Sequence, residues 1–207
     1  MTRAWLLPVA AVVVALACGD GPRAKGSASA EDAAKPGYLG SESCRRCHYK
    51  QYGSWAKTPM ARALEVLLPG KAAEARKAAG LALDADFSKD AKCLRCHVTG
   101  YGTEAGYPAR VEGKAWTSAE EERAKRTPGG VSEACHGPGN LYVEYKRAHE
   151  DFKAADLRPL GAIDPVTATT CASCHVAGCP TMATSYAFDF DACKPAVHVH
   201  IAQKRAH

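Results

Sequence analysis

The sequence predicts a mainly α fold with much irregular backbone, closed around something other than its own side chains. Three observations carry this. The helical signals are short and broken by Pro-Gly pairs. No sheet alternation runs through the chain. Ten cysteines and eight histidines stand beside an aromatic content of only 7% in 207 residues. A core this poor in large side chains does not hold a domain of this size unaided.

Taken in order, the chain begins with an export signal. Arg3 supplies a positive start and residues 4–17 (AWLLPVAAVVVALA) form an apolar run of signal length, too short for a comfortable membrane span. The run ends in ALAC, which resembles a lipobox with Cys18 as the acylated residue; the other reading is an ordinary signal peptide cut nearby. Either way residues 1–18 direct export, to the periplasm or the outer face of the cell envelope. Residues 19–37, rich in Gly, Ala, Ser and Pro, read as a flexible tether. Residues 38–207 form the folded domain.

Within that domain a short helix is expected after Trp55, carrying Met60. Residues 61–68 (ARALEVLL) and 71–83 (KAAEARKAAGLAL) have helical composition, separated by Pro69-Gly70. Residues 100–116 suggest a small hairpin. Residues 117–126 (TSAEEERAKR) open with a Thr/Ser cap and an acidic first turn, and stop before Pro128-Gly129-Gly130. Residues 141–152 (LYVEYKRAHEDF) read as a further helix.

The cysteines are patterned. CRRCH (Cys44 to His48), CLRCH (Cys93 to His97) and CASCH (Cys171 to His175) repeat Cys-x-x-Cys-His, the attachment signature of c-type haem. Two intervening residues let one helical turn present both sulfurs to one porphyrin edge, and the adjoining histidine binds iron as proximal ligand. A zinc ribbon leaves the repeated histidine unused. A thioredoxin-like dithiol wants a strand-helix context, which is missing here. Structural disulfides do not explain the histidines either. SEACH (Ser132 to His136) keeps the second cysteine and the histidine but has Ser132 for the first cysteine. It reads as a fourth site with one thioether, at Cys135, and His136 as proximal ligand.

These motifs and their surroundings resemble the cytochrome c-554 type, a family of tetrahaem electron carriers. The likeness rests on GVSEACHGPG (residues 130–139), on CHYKQYGSWAKTPMARA after the first motif, and on FDFDACKPAVH near the end. It covers roughly residues 38–200, with little match between 64 and 92. It implies four haem c groups in closely packed pairs. The chain departs from the family at Ser132, at Met60 and Tyr142 where histidines are common, and at Cys193 where an aromatic is usual.

Thioether positions are therefore Cys44, Cys47, Cys93, Cys96, Cys171 and Cys174, with Cys135 alone at the fourth site; proximal ligands are His48, His97, His136 and His175. Distal candidates are Met60, His149, His198 and His200. His198 leads because of its Phe-Asp-Phe context, and His200 shares its face if the segment is extended. Methionine ligation raises the potential of a haem relative to histidine, and an open position admits small molecules. Cys179 and Cys193 are expected to pair as a disulfide.

The formal charge of +5 does not mark a nucleic-acid binder. Export argues against it, and the propionates of four haems offset the excess. The expected function is electron transfer between a donor and an acceptor protein of the envelope, with the membrane reached through the lipid at Cys18. The alternative is a haem enzyme or sensor acting on a small nitrogen compound, nitric oxide or nitrite, at a five-coordinate iron.

Overall fold

The computed structural model describes residues 34–200. The export signal, most of the tether and His207 lie outside them. The described residues contain ten short α-helices, three 3-10 turns and no β-strand. They are α1 (Ser41–Arg45), α2 (Tyr49–Trp55), α3 (Ala73–Ala78), α4 (Ala91–His97), α5 (Ser118–Arg126), α6 (Ser132–His136), α7 (Asn140–Ala148), α8 (Ala154–Leu157), α9 (Ala168–Cys171) and α10 (Phe190–Val197). None of them is long and apolar enough to cross a membrane.

Several elements differ from the sequence expectation. Residues 61–68 do not make one helix: they form two 3-10 turns, Met60–Arg62 and Glu65–Leu67, and Leu68 turns extended. Residues 71–83 shorten to α3, because Ala72 takes a left-handed φ of 50° before it and Gly80 a φ of 66° after it. Arg76 then draws the following backbone back. Its guanidinium donates to the carbonyls of Val66, Leu68, Ala82, Leu83 and Ala85, with the side chain 4.9 Å over the Phe87 ring. Five carbonyls around one buried cation hold this stretch in place of the two expected helices. The expected hairpin at 100–116 is absent; Gly100, Gly102 and Gly113 all take positive φ and break any ladder. The helix expected over 141–152 ends at Ala148, with His149 extended beyond it.

Helix α5 follows the sequence closely. Thr117 Oγ1 accepts from the Glu120 N–H at 3.3 Å and Glu120 returns to the Thr117 N–H at 2.7 Å, a reciprocal cap.

The apolar core is small. Leu67, Leu94, Val98 and Tyr107 form it, with Phe87, Trp116 and Leu64 packed on its flank. Leu94 stands between the two cysteines of the second motif and is fully buried. Burying one such side chain is worth about 1.5–3 kcal/mol. Much of the remaining interior is polar: Ser41, Arg76, Thr99, Thr127 and Glu133 are all buried.

Candidate functional site

All four His-bearing motifs adopt the same one-turn geometry. The N–H of His48 donates to the Cys44 carbonyl at 2.9 Å, and that of His175 to the Cys171 carbonyl at 3.0 Å. The second motif lies within α4, and the motif at Ser132 is α6 itself. An i to i+4 bond closing on the histidine sets both cysteine positions on one turn, as the spacing requires. In α6, Ser132 occupies the place of the missing cysteine. Its Oγ lies 3.3 Å from Ser41 Oγ, and its N–H donates to Ser41 Oγ at 2.9 Å.

Motifs one and three are clamped together by Glu133, which sequence reasoning passed over. Its carboxylate accepts from the N–H groups of Leu39 (2.9 Å), Gly40 (2.7 Å) and Gly139 (2.7 Å). A carboxylate 2% exposed is tolerated because each lone pair in use faces a backbone donor. Gly137, at φ 79°, permits the next close approach: a Cβ there would lie 2.0 Å from the Gly161 carbonyl oxygen. The segment after motif three is thereby laid against the approach to motif four, and the Ile163 N–H donates to the His136 carbonyl at 3.0 Å.

Motifs two and three are joined by Thr99, also unforeseen. Its hydroxyl donates to the Gly129 carbonyl at 2.9 Å and accepts the Val131 N–H at 3.1 Å. Trp55 Nε1 donates to the Gly130 carbonyl at 3.0 Å, and the Gly130 N–H to the Met60 carbonyl at 3.1 Å. The aromatic element after the first motif thus holds the turn that leads into the third.

The electrostatics follow this crowding. Burial, then the Glu133 charge, pushes the Cys44 thiol up to about 11. Cys96 is also pushed up to about 11, by burial and then by Cys174 and Cys179; Cys135 likewise, by burial and then by Cys171 and Cys174. Thiols of motif four thus lie within electrostatic reach of Cys96 in motif two and of Cys135 in motif three. Burial holds His48, His136 and His175 below the ordinary imidazole range. His136 keeps exposed surface, yet the atoms packed round its ring desolvate it, and His198 adds to the effect.

Distal candidates fall out differently. His198 lies beside His136, ring centroids 6.2 Å apart, and the His200 ring lies 4.7 Å from that of His198, tilted to it, with His198 on extended backbone. Met60 packs at Gly130, just before motif three. His149 instead stacks on Tyr145 of its own helix at 4.0 Å, with Nδ1 on the Tyr145 carbonyl at 2.9 Å. The expected Cys179–Cys193 disulfide does not form. No disulfide joins any of the nine described cysteines. Cys179 turns to the Cys174 carbonyl at 3.8 Å, whereas Cys193 lies by Cys171, so the two are drawn to different parts of motif four.

The residues fit haem c. Cysteine pairs sit on single turns, and His97 Nδ1 is held by the Ala63 carbonyl at 2.5 Å, which fixes the tautomer and leaves Nε2 for a metal. Repeated Cys-x-x-Cys-His turns on a helical, strand-free scaffold define a multihaem c-type cytochrome.

Comparison with known proteins agrees. The family described as cytochrome c554 and c-prime matches residues 43–137. Cytochrome c-554 of Nitrosomonas europaea is 31% identical over 152 residues, covering 70% of this chain and 60% of that protein, so the match spans less than two thirds of the relative. The solved structure of reduced cytochrome c554 from the same organism superposes with a TM-score of 0.62 at 27% identity, over 80% of this chain and 85% of that one. By these measures the chain is similar to the cytochromes of the c-554 type, proteins whose family implies covalently bound haem c.

Proposed function

We propose that the chain is an exported tetrahaem cytochrome that passes electrons between redox proteins of the bacterial envelope. Residues 1–18 direct export, with lipid at Cys18; residues 19–37 are the tether and 38–207 the haem domain. Cys44, Cys47, Cys93, Cys96, Cys171 and Cys174 form paired thioethers, and Cys135 forms a single one. His48, His97, His136 and His175 are the proximal ligands. His198 serves as a distal ligand near His136, and Met60, His149 and His200 are the remaining candidates.

Haem, when bound, supplies a one-electron iron couple. The chain orients the imidazoles and fixes the motifs against one another. The observation that carries this reading is the common turn geometry of all four motifs, the one at Ser132 included.

Intact mass of the mature protein, made with c-type maturation, tests it. Each haem adds roughly 0.6 kDa, so four are told from three, and lipid at Cys18 shows in the same spectrum. Three haems would mean that the Ser132 site is empty; a colourless product overturns the cytochrome reading. Paramagnetic resonance separates the carrier from the enzyme or sensor. Four low-spin irons indifferent to nitric oxide belong to a carrier. A high-spin iron whose spectrum shifts on adding nitric oxide belongs to small-molecule chemistry.

A further inference from the structure

We propose that the first motif and the outer face of α2 form a docking surface for an acidic redox protein. The proposal rests on the electron-transfer reading above and adds the place and chemistry of one partner.

The motifs differ in what they show to solvent. Between the anchor positions of motifs two and three, Leu94 and Glu133 are buried, while Arg95 is a single exposed cation in motif two and Ala134 an exposed uncharged residue in motif three. In motif four Ala172 and Ser173 are exposed but uncharged. Residues 164–194 around it carry Asp164, Asp189 and Asp191 against Lys194 alone.

Motif one is the contrasting case. Arg45, Arg46 and Cys47 are exposed in succession. Lys50, Gly53 and Lys57 follow at helical spacing, all exposed, and so share one face. The N–H of Lys57 on the Ser54 carbonyl at 3.3 Å continues the turn past Trp55. Glu42 is the one acid in residues 42–57, and it is already engaged by Arg45 at 3.5 Å and by the Tyr52 hydroxyl. Arg46, Lys50 and Lys57 therefore leave a positive rim beside an exposed attachment edge. At its centre Tyr49 is 65% exposed, with Lys50 Nζ 5.8 Å from the ring centroid.

A rim of cations on a solvent-facing redox edge steers an anionic partner and orients it, raising on-rates by about 10 to 1000-fold at low salt. Exposed Tyr beside Arg is the composition of interface centres rather than of ordinary solvated surface. Encounters of this kind need less than about 1,200 Å² of buried area, which a face of this size can give.

The test uses the haem-loaded full chain, reduced chemically and mixed rapidly with oxidants of opposite charge. Hexacyanoferrate(III) is the anionic probe, hexaamminecobalt(III) the cationic one, and a polyaspartate peptide the competitor. The variant combines Arg46→Glu, Lys50→Glu and Lys57→Glu; a second carries Gln at the same places and guards against damage to the fold. Expected is a salt-sensitive rate with the anion that drops about tenfold or more in the Glu variant and partway in the Gln variant. The rate with the cation holds or rises, and polyaspartate slows the wild type only. Equal anion rates in all three proteins at low salt, with no effect of polyaspartate, overturn the proposal. So does a result in which Arg46→Glu alone shifts a reduction potential while charge discrimination stays intact, since the arginine then serves a propionate. Failure of the cytochrome reading itself shows earlier, as a wild type without a Soret band.

Discussion

Glu133→Gln perturbs the clamp between motifs one and three with almost no change of shape. Oε1 takes the Leu39 and Gly139 N–H groups, and Oε2 takes that of Gly40. A glutamine carbonyl can replace Oε1, but its NH2 then faces the Gly40 donor. One buried N–H is orphaned, costing about 1–3 kcal/mol, and two charge-assisted bonds weaken by about 1 kcal/mol each. Relief from burying a carboxylate returns part of this, so a net loss of about 2–4 kcal/mol is expected. At a urea slope of about 2 kcal/mol/M the midpoint falls by about 1–2 M. Urea unfolding of the haem-loaded protein, followed by far-UV circular dichroism, measures it. Glu133→Ala, which leaves all three donors unmatched, should lose more. A glutamine variant within about 0.5 kcal/mol of wild type, or an alanine variant no worse than glutamine, would refute the clamp.

Three further outcomes follow from named contacts. Ser132→Cys should leave the haem count at four by intact mass, while the pyridine haemochrome band moves to shorter wavelength as a second vinyl is saturated; a gain of one haem contradicts the single-link assignment. Arg76→Ala strands five carbonyls and removes a cation from the Phe87 face, so thermal unfolding should show a loss of about 3–5 kcal/mol, with haem content unchanged. In the haem-free chain, thiols raised to about 11 at Cys44, Cys96 and Cys135 are about one part in a thousand thiolate at pH 8. Greater intrinsic nucleophilicity offsets part of that, leaving alkylation about tenfold slower than at an unperturbed thiol. Peptide mapping after a timed iodoacetamide pulse reads the order, and equal labelling at those three and at a model thiol refutes the burial.

How much of this was legible depended on whether the cause was local. The motif turns were readable because one helical turn contains the whole pattern. The α5 cap was readable because Thr117 and Glu120 are three residues apart. The stretch from 61 to 83 misled, since its composition is helical while Arg76, from the middle of it, gathers carbonyls on both sides. Glu133, Thr99 and Ser41 carried a weaker signal. Glu133 falls between the anchor positions of a motif, where a solvated charge is the ordinary expectation, and two of its three partners lie 93 and 94 residues away. The Cys179–Cys193 pairing failed for the same reason: spacing suggested a loop closure, while Cys179 turns to the Cys174 carbonyl and Cys193 is exposed.

The 94-residue reach from Leu39 to Glu133 bears on the order in which the molecule is made. A chain emerges N-terminus first, so the CRRCH turn is out long before its anchoring carboxylate has arrived. During that interval the N–H groups of Leu39 and Gly40 have no buried carboxylate to receive them. Closure of this part of the molecule therefore waits on residue 133, and distant contacts of this kind slow folding.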